Sequence, residues 1–414
     1  MDQFIVSARK YRPDTFDSVV GQSSITATLK NAIKNNHIAQ AYLFCGPRGV
    51  GKTTCARIFA KTINCYHPDD GIEACNECES CIAFNESRSY NIHELDAASN
   101  NSVDDIRNLT DQVRIPPQIG KYSVYIIDEV HMLSAQAFNA FLKTLEEPPA
   151  HAIFIMATTE KHKILPTILS RCQIFDFNRI KIDDAVAYLE QIAEKEGVQY
   201  EKEALHVIAQ KADGAMRDAL SIFDQAVSFS NNEMTYQKII DNLNVLDYEY
   251  FFSMVDAFMA GDVSTAMLSF NEILEKGFDP HHFVTGLSEH MRNLLMVRDP
   301  KTLKLLEVSE NIKEKYSQQA QQTSPAFLFK ALAISNQCDM NYKTSNNKRL
   351  HVELALMQMA QINEELKKKA DELAEKKETA DQQKKTSESP VEENNSGKDT
   401  NSSQTNGSKS VINQ

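Results

Sequence analysis

No stretch of these 414 residues approaches the ~20 consecutive apolar residues needed to span a bilayer, so a membrane-crossing helix is not expected. The first ten residues, MDQFIVSARK, lack the long apolar core of a secretory signal. An excess of positive charge is also missing. Lys and Arg total 44 against 57 Asp and Glu, and the net charge of −13 excludes a basic whole-surface field that would draw the chain onto nucleic acid. Any such contact has to come from a local or an assembled surface. With no secretion signal, the eight cysteines are read in the reducing cytoplasm, where metal binding or packing is favoured over disulfides. What is present is the composition of a soluble globular protein, 42% hydrophobic and 24% charged, long enough for two or three domains.

The first chemical signal is GPRGVGKT, Gly46-Pro47-Arg48-Gly49-Val50-Gly51-Lys52-Thr53, followed by Thr54. It fits the phosphate-cradling pattern G-x-x-x-x-G-K-[ST]. The apolar run Ala41–Cys45 before it reads as a buried strand. After it, Cys55, Ile58, Phe59, Thr62 and Ile63 recur at helical spacing. The glycines let successive N–H groups turn toward a phosphate, and the helix N-terminus adds its unpaired donors. Lys52 is placed to reach the β- and γ-phosphates of ATP, and Thr53 to offer its hydroxyl to Mg²⁺. Upstream, an aromatic and a proline in the run Lys10-Tyr11-Arg12-Pro13, with the small apolar pair Val19-Val20, either line an adenine pocket or simply anchor the N-terminus.

The second signal is a set of thiols. Cys65, Cys75, Cys78 and Cys81 follow the spacing C-x9-C-x2-C-x2-C in a polar stretch containing Gly and Pro. Four thiolates so close in sequence suit a tetrahedral, structural Zn²⁺ held in a knuckle-like turn. The alternative is a C-x-x-C redox pair, which should be followed by a helix. No helix pattern is evident there, and that reading leaves two cysteines unused. Cys45, Cys55, Cys172 and Cys338 are read as packing residues.

The third signal is Asp128-Glu129 at the end of the apolar run Val124–Ile127, a strand buried on both faces. At the carboxyl end of a strand beside a phosphate loop, Asp128 is expected to hold Mg²⁺ through water and Glu129 to orient or deprotonate the attacking water. Another buried strand, Ala152–Ala157, ends in Thr158-Thr159, whose hydroxyls are placed to reach the γ-phosphate or that water. Arg171, at a helix end, suits a neighbouring subunit's nucleotide; a surface ion pair is its alternative. Arg217 lies in the first turn of a helix, where a cation opposes the helix dipole unless an anionic ligand compensates it. Ser102, with Asp105 three residues on, reads as an N-cap or as a helix end aimed at a phosphate of DNA.

From Phe175 to Ile182 the chain is read as leaving the sheet, and from Asp183 it is helical. Beyond Leu246 further helices are expected, including His281–Arg298, Pro325–Asn341 and Lys348–Leu366. His281-His282 could bind metal, but a pair without other ligands is read as structural or solvent-facing. From Lys367 a polar Lys/Glu- and then Ser/Asn-rich tail cannot bury enough apolar surface to order itself, although its first turns can extend the last helix.

Taken together, Lys10-Tyr-Arg-Pro13, Val20-Gly-Gln22, the phosphate loop, the four-cysteine insertion, Asp128-Glu-Val-His131, FNAFLKTLEEPP at 138–149, ATTE at 157–160, SRC at 170–172 and GAMRDAL at 214–220 resemble AAA+ ATPases of the clamp-loader type. The resemblance is strongest to the bacterial gamma/tau subunits of DNA polymerase III. By motif it covers residues 4–240; from there to about 365 it rests on helix order. It implies Walker A roles for Lys52 and Thr53, Walker B roles for Asp128 and Glu129, sensor roles for Thr159 and Arg217, and an arginine finger acting in trans for Arg171.

The architecture implied is an α/β AAA+ P-loop domain with a parallel sheet at 1–178, carrying a zinc insertion at 64–82. A helical lid at 179–243, an all-α collar at 244–366 and a disordered tail at 367–414 follow. The cofactors implied are ATP, Mg²⁺ and a structural Zn²⁺. The partners implied are delta, delta prime and further copies of the chain in a hetero-pentamer, a sliding clamp and primer–template DNA, with no membrane. DNA would be tracked by helix N-termini and by Arg107, Lys161 and Lys163. Longer members of the family bind the polymerase core and the helicase through further C-terminal domains. That tethering is not expected of a chain ending in a polar tail. The alternatives are a non-catalytic scaffold resembling delta prime, for which a degraded phosphate loop would be expected, and a different AAA+ DNA motor such as a branch-migration enzyme.

Overall fold

The structure is a computed structural model describing residues 5–69, 72–117, 120–243, 245–306 and 308–385. Its first part is a five-stranded all-parallel sheet. The strands are β1 (Ala41–Cys45), β2 (Ile92–Asp96), β3 (Ser123–Asp128), β4 (Ala152–Thr158) and β5 (Gln173–Asp176), in spatial order β2-β3-β4-β1-β5. The central strands β1, β3 and β4 are near-continuous apolar runs because helices cover both faces. One face packs Tyr42, Phe44, Phe59 and Ile155, and the other packs Leu43, Ile127, Phe141 and Phe154.

Register brings the chemistry to one edge. Cys45, the last residue before the phosphate loop, lies beside Thr158, and Asp96 lies beside Asp128. The carboxyl ends of β1, β3 and β4 therefore open on a single crevice, where ligands of parallel α/β sheets bind.

Three expectations are corrected and a fourth is extended. Gln173–Asp176 does not leave the sheet; it pairs with β1 from Tyr42 to Cys45 as an edge strand, its half-exposed residues hiding the apolar signal. The C-x-x-C segment is followed by a helix after all, Glu79–Asn85, with Cys78 at its N-cap and Cys81 in its first turn. A helix at Glu310–Gln322 was not anticipated, because its sequence is strongly polar and only Tyr316, Gln319 and Ala320 are buried. The last helix starts at Lys348 as expected and runs on to Lys385, well past Leu366, so the start of the Lys/Glu-rich tail extends it, as expected. The remainder, 386–414, lies outside the described residues.

Beyond the sheet, a second cluster of buried side chains gathers Ile180, Leu189, Ile192, Leu205, Ile208 and Phe223. It belongs to helices Ile182–Glu196, Lys202–Lys211, Met216–Ser230 and Tyr236–Leu243, with one two-residue parallel pairing of Gln199–Tyr200 against Glu233–Met234. A third cluster, built on Phe251, Phe258, Phe270, Phe283, Leu287, Phe327 and Leu356, comes from the helices after Leu246. Among the described residues no helix is long and apolar enough to cross a membrane.

Candidate active site

The phosphate loop leaves β1 with Gly46 at φ 148°, Gly49 at φ 76° and Gly51 at φ 102°. Two of these glycines are also forced by close approach. A Cβ on Gly46 would meet the Phe177 carbonyl oxygen at 2.5 Å, and one on Gly49 would meet the Cβ of Ala215 at 2.9 Å. The second contact matters for function, because Ala215 immediately precedes the helix that carries Arg217. The Arg217 N–H donates to the Gly49 carbonyl at 3.4 Å, so the loop and the helical part of the chain meet at the site.

The P-loop helix, Lys52–Ile63, starts with Lys52 itself. The Lys52 ammonium is buried and donates to the carbonyls of Gly46 and Pro47, each at 2.8 Å. Burial lowers its pKa, opposed by the nearby Glu129 and Asp128 charges. The Thr53 hydroxyl donates to Asp128 Oδ2 at 2.7 Å, placing a hydroxyl and a carboxylate together as a Mg²⁺ site requires. Glu129 has φ 48°, unusual for a non-glycine residue, and this backbone turn aims its side chain across the strand ends at β4. Its Oε2 accepts the Thr159 N–H at 3.1 Å and the Thr159 hydroxyl at 2.9 Å. Thr158 points inward, fully buried and bonded to His131 Nδ1 at 3.1 Å, and takes no part in the crevice.

A cavity of about 850 Å³ lies among the phosphate loop, Asp128, Glu129, Arg217 and the N-terminal segment; Thr159 is outside its lining and meets it only through Glu129. Gly49 to Thr54, Asp128, Glu129 and Arg217 give it polar lining, and Tyr11, Pro13, Val19, Ile180, Met216 and Leu220 give it apolar lining. The N-terminal aromatic–proline run thus does line the cavity. A lining that combines backbone donors and cations with apolar side chains suits a nucleotide. The loop fits phosphates because no side chain could be added at Gly46 or Gly49 without collision.

Sequence reasoning gave Arg12 no role. It is exposed, lines the same cavity and donates to Thr54 Oγ1 at 3.3 Å. Ile180, Met216 and Leu220 were also missed, because apolar residues from distant segments carry no local signal.

Not every predicted residue converges. Arg171 is outside the cavity lining, held to Glu146 Oε1 at 2.9 Å and to the Thr167 carbonyl at 2.7 Å. Ser102 closes a capping box with Asp105, each residue's side chain accepting from the other's backbone N–H at 3.2 Å. Arg107, Lys161 and Lys163 pair with Asp104, Asp176 and Glu160 respectively. His281 pairs with Asp339 at 2.6 Å and stacks on Tyr342.

The four cysteines do come together. Cys65, Cys75, Cys78 and Cys81 bring their Sγ atoms within 4.8 Å of one another, with Cys65 3.5 Å from Cys75 and 3.9 Å from Cys78. Sulfurs about 2.3 Å from a common centre at tetrahedral angles are ~3.8 Å apart, so the donor set fits zinc. Among the described residues this is the only group of three or more metal-ligating side chains so arranged. Cys45, Cys55 and Cys338 are buried thiols, and Cys172 is half-buried.

Three family models match the chain in order. They are the DNA polymerase III delta subunit over residues 21–181, the ATPase lid domain of the DNA polymerase III clamp loader subunit over 184–232, and domain III of DNA polymerase III subunits gamma and tau over 234–375. DNA polymerase III subunit tau of Bacillus subtilis is 41% identical over 358 residues, covering 86% of this chain and 63% of that protein. The subunit tau of Escherichia coli is 40% identical over 295 residues, covering 71% of this chain and 45% of that protein. The chain thus spans about half to two-thirds of the length of these relatives. Among solved structures, the Thermotoga maritima RuvB Holliday junction branch migration motor aligns with 59% of this chain and 78% of its own at 18% identity and a TM-score of 0.43.

Proposed function

We propose that the chain is a member of the gamma and tau family of DNA polymerase III subunits, whose models and relatives it matches in order, and that it is an ATP-hydrolysing motor subunit of the replicative clamp loader. The observation that carries this reading is that Lys52, the Thr53–Asp128 pair, Glu129 and Arg217 all line one nucleotide-sized cavity. An intact set of this kind argues against a scaffold subunit that binds no nucleotide.

In this reading Lys52 turns from the loop carbonyls to the β- and γ-phosphates, and the loop N–H groups cradle them with Gly46–Thr54 as the frame. Thr53 and Asp128 hold Mg²⁺, which supplies charge neutralisation at the phosphates when bound. Glu129, released from Thr159, takes a proton from the attacking water, and Thr159 then orients the reacting end. Arg217 ties the helical lid to bound nucleotide. Arg171 serves the site of a neighbouring subunit. The tetrathiol knuckle holds structural zinc.

We assign residues 1–178 to the AAA+ domain, 179–243 to the lid and 244–366 to the collar. The chain works in the cytoplasm with delta, delta prime and further copies of itself, opening a sliding clamp and leaving it on primed DNA. Arg107, Lys161 and Lys163 would have to exchange their carboxylate partners for phosphates to touch that DNA.

The test is ATP hydrolysis by the chain assembled with delta and delta prime, with and without clamp and primed DNA. Strong stimulation by both together, abolished by Lys52→Ala, is the expected result. Steady hydrolysis indifferent to clamp and DNA would overturn the clamp-loader reading while leaving an ATPase.

A further inference from the structure

Lys61 lies near the C-terminal end of the P-loop helix and is only 3% exposed. A buried ammonium requires a compensating anion or its neutral form is favoured. Yet Lys61 makes no ion pair with any described carboxylate. Asp14 and Glu73 act on it only from beyond ion-pair distance, and Glu73 is already paired with Lys30 at 3.1 Å. The Lys61 hydrogen bond goes instead to Asn76 Oδ1, at 2.6 Å.

Asn76 sits between Cys75 and Cys78 inside the tetrathiol knuckle, with φ 60°. The Cys81 sulfur is among the groups whose negative charge would favour the Lys61 ammonium. A zinc ion with four thiolates carries a net double negative charge, and burying it next to a helix requires a nearby cation. The knuckle also rests on the same helix through Arg57, whose guanidinium lies 4.7 Å from the centre of the Phe84 ring. Cys65 itself follows the helix end by two residues.

We propose that Lys61 is the buried counter-cation of a zinc tetrathiolate and, through Asn76, fixes the metal knuckle to the helix that begins at the phosphate loop. The inference rests on the zinc reading above. Lys61 is a positioning residue: it touches neither nucleotide nor metal, and it acts by stabilising the anionic cluster and by holding the loop between two of its ligands. A tetrathiol cluster without metal needs no such cation, so the requirement for Lys61 is specific to the loaded knuckle.

The experiment uses the full chain purified without chelator, as wild type, Lys61→Arg and Lys61→Gln. Zinc is measured by elemental analysis, and its affinity by competition with a chromophoric chelator. Glutamine retains a donor for Asn76 but no charge; arginine retains the charge. The expected result is one zinc per wild-type chain, near-normal affinity in Lys61→Arg, and affinity weakened by about tenfold or more in Lys61→Gln, the range seen when outer partners of metal ligands are removed.

Thermal melting with and without chelator separates this from a plain packing role. Lys61→Gln should lower the melting temperature of the zinc-loaded protein and leave the stripped protein close to the stripped wild type. Equal zinc affinity in all three proteins, or equal destabilisation of loaded and stripped forms, overturns the role of Lys61 while leaving zinc in place. Wild type purified without zinc overturns the zinc reading itself.

Discussion

Glu129 is held by Thr159 through two hydrogen bonds, 3.1 Å from the Thr159 N–H and 2.9 Å from its hydroxyl. The pair joins the ends of β3 and β4, and it keeps the carboxylate proposed as general base on the strand side of the cavity. A bond from a hydroxyl to a charged acceptor contributes about 1.5–3 kcal/mol. If Thr159 both parks Glu129 and later orients the reacting end, Thr159→Val should slow hydrolysis by roughly tenfold to a hundredfold with little change in nucleotide affinity. Glu129→Gln should cost about 10² to 10⁴-fold for loss of the base. Single-turnover hydrolysis beside nucleotide titration separates the two; a Thr159→Val protein that loses binding rather than turnover would refute the assignment.

Arg171 is presented by Glu146 and the Thr167 carbonyl and is kept away from the cavity of its own chain. A finger acting in trans predicts an asymmetric outcome. Arg171→Ala should leave the isolated subunit's nucleotide binding unchanged and reduce hydrolysis in the assembled complex by about 10³-fold or more. Glu146→Ala, which removes only the support, should produce a smaller loss. Equal turnover of wild-type and Arg171→Ala assemblies would return Arg171 to a surface ion pair.

How legible this was depended on how local the signal is. The phosphate loop, Asp128-Glu129 and the cysteine run are contiguous, and each stands at the end of an apolar strand or inside a turn whose composition announces it. The helix Glu310–Gln322 was invisible because only Tyr316, Gln319 and Ala320 are buried, so it rests on packing against other helices and has no apolar stripe of its own. The edge strand β5 pairs on one side only and buries only Phe175, so the four residues Gln173–Asp176 look like a loop. In the site, Ile180, Met216 and Leu220 are ordinary apolar residues until the fold brings them to one wall. Arg12 lay in a segment that sequence reading had singled out, but nothing in its neighbours shows that the guanidinium faces Thr54.

Gly49 joins the phosphate loop to the helical part of the chain. Its φ of 76° disfavours any side chain, and an added Cβ would lie 2.9 Å from the Ala215 Cβ. Gly49→Ala should therefore strain the loop by about 1–2 kcal/mol and push it from the Arg217 helix. The expected effect is a loss of ATP affinity of roughly tenfold or more. Adding Ala215→Gly removes the collision but not the strain, so the double variant should recover part of the affinity. No recovery would show that the contact across Gly49 is not what positions the lid.

His290, in the third cluster, sets a pH limit on stability. It is 1% exposed, with Nδ1 2.9 Å from the Tyr316 hydroxyl and Nε2 3.0 Å from Gln319 Oε1. The Gln319 amide nitrogen is committed to the Phe252 carbonyl and Asp256 Oδ1, so its oxygen faces the ring. Neutral His290 then donates from Nε2 and accepts at Nδ1, and every polar atom is satisfied without a proton to spare. Burial pushes the pKa down from 6.5 to about 4. Because the unfolded chain takes up the proton first, this group costs nothing above pH 6.5, and stability falls as pH drops from 6.5 toward 4. The full drop is about 3 kcal/mol. Melting curves from pH 7.5 to 4.5 should show this slope in wild type. His290→Gln, less stable at pH 7.5 for want of packing, should show a shallower one. Parallel slopes for the two proteins would mean that the acid sensitivity of the chain lies in its carboxylates and not in this histidine.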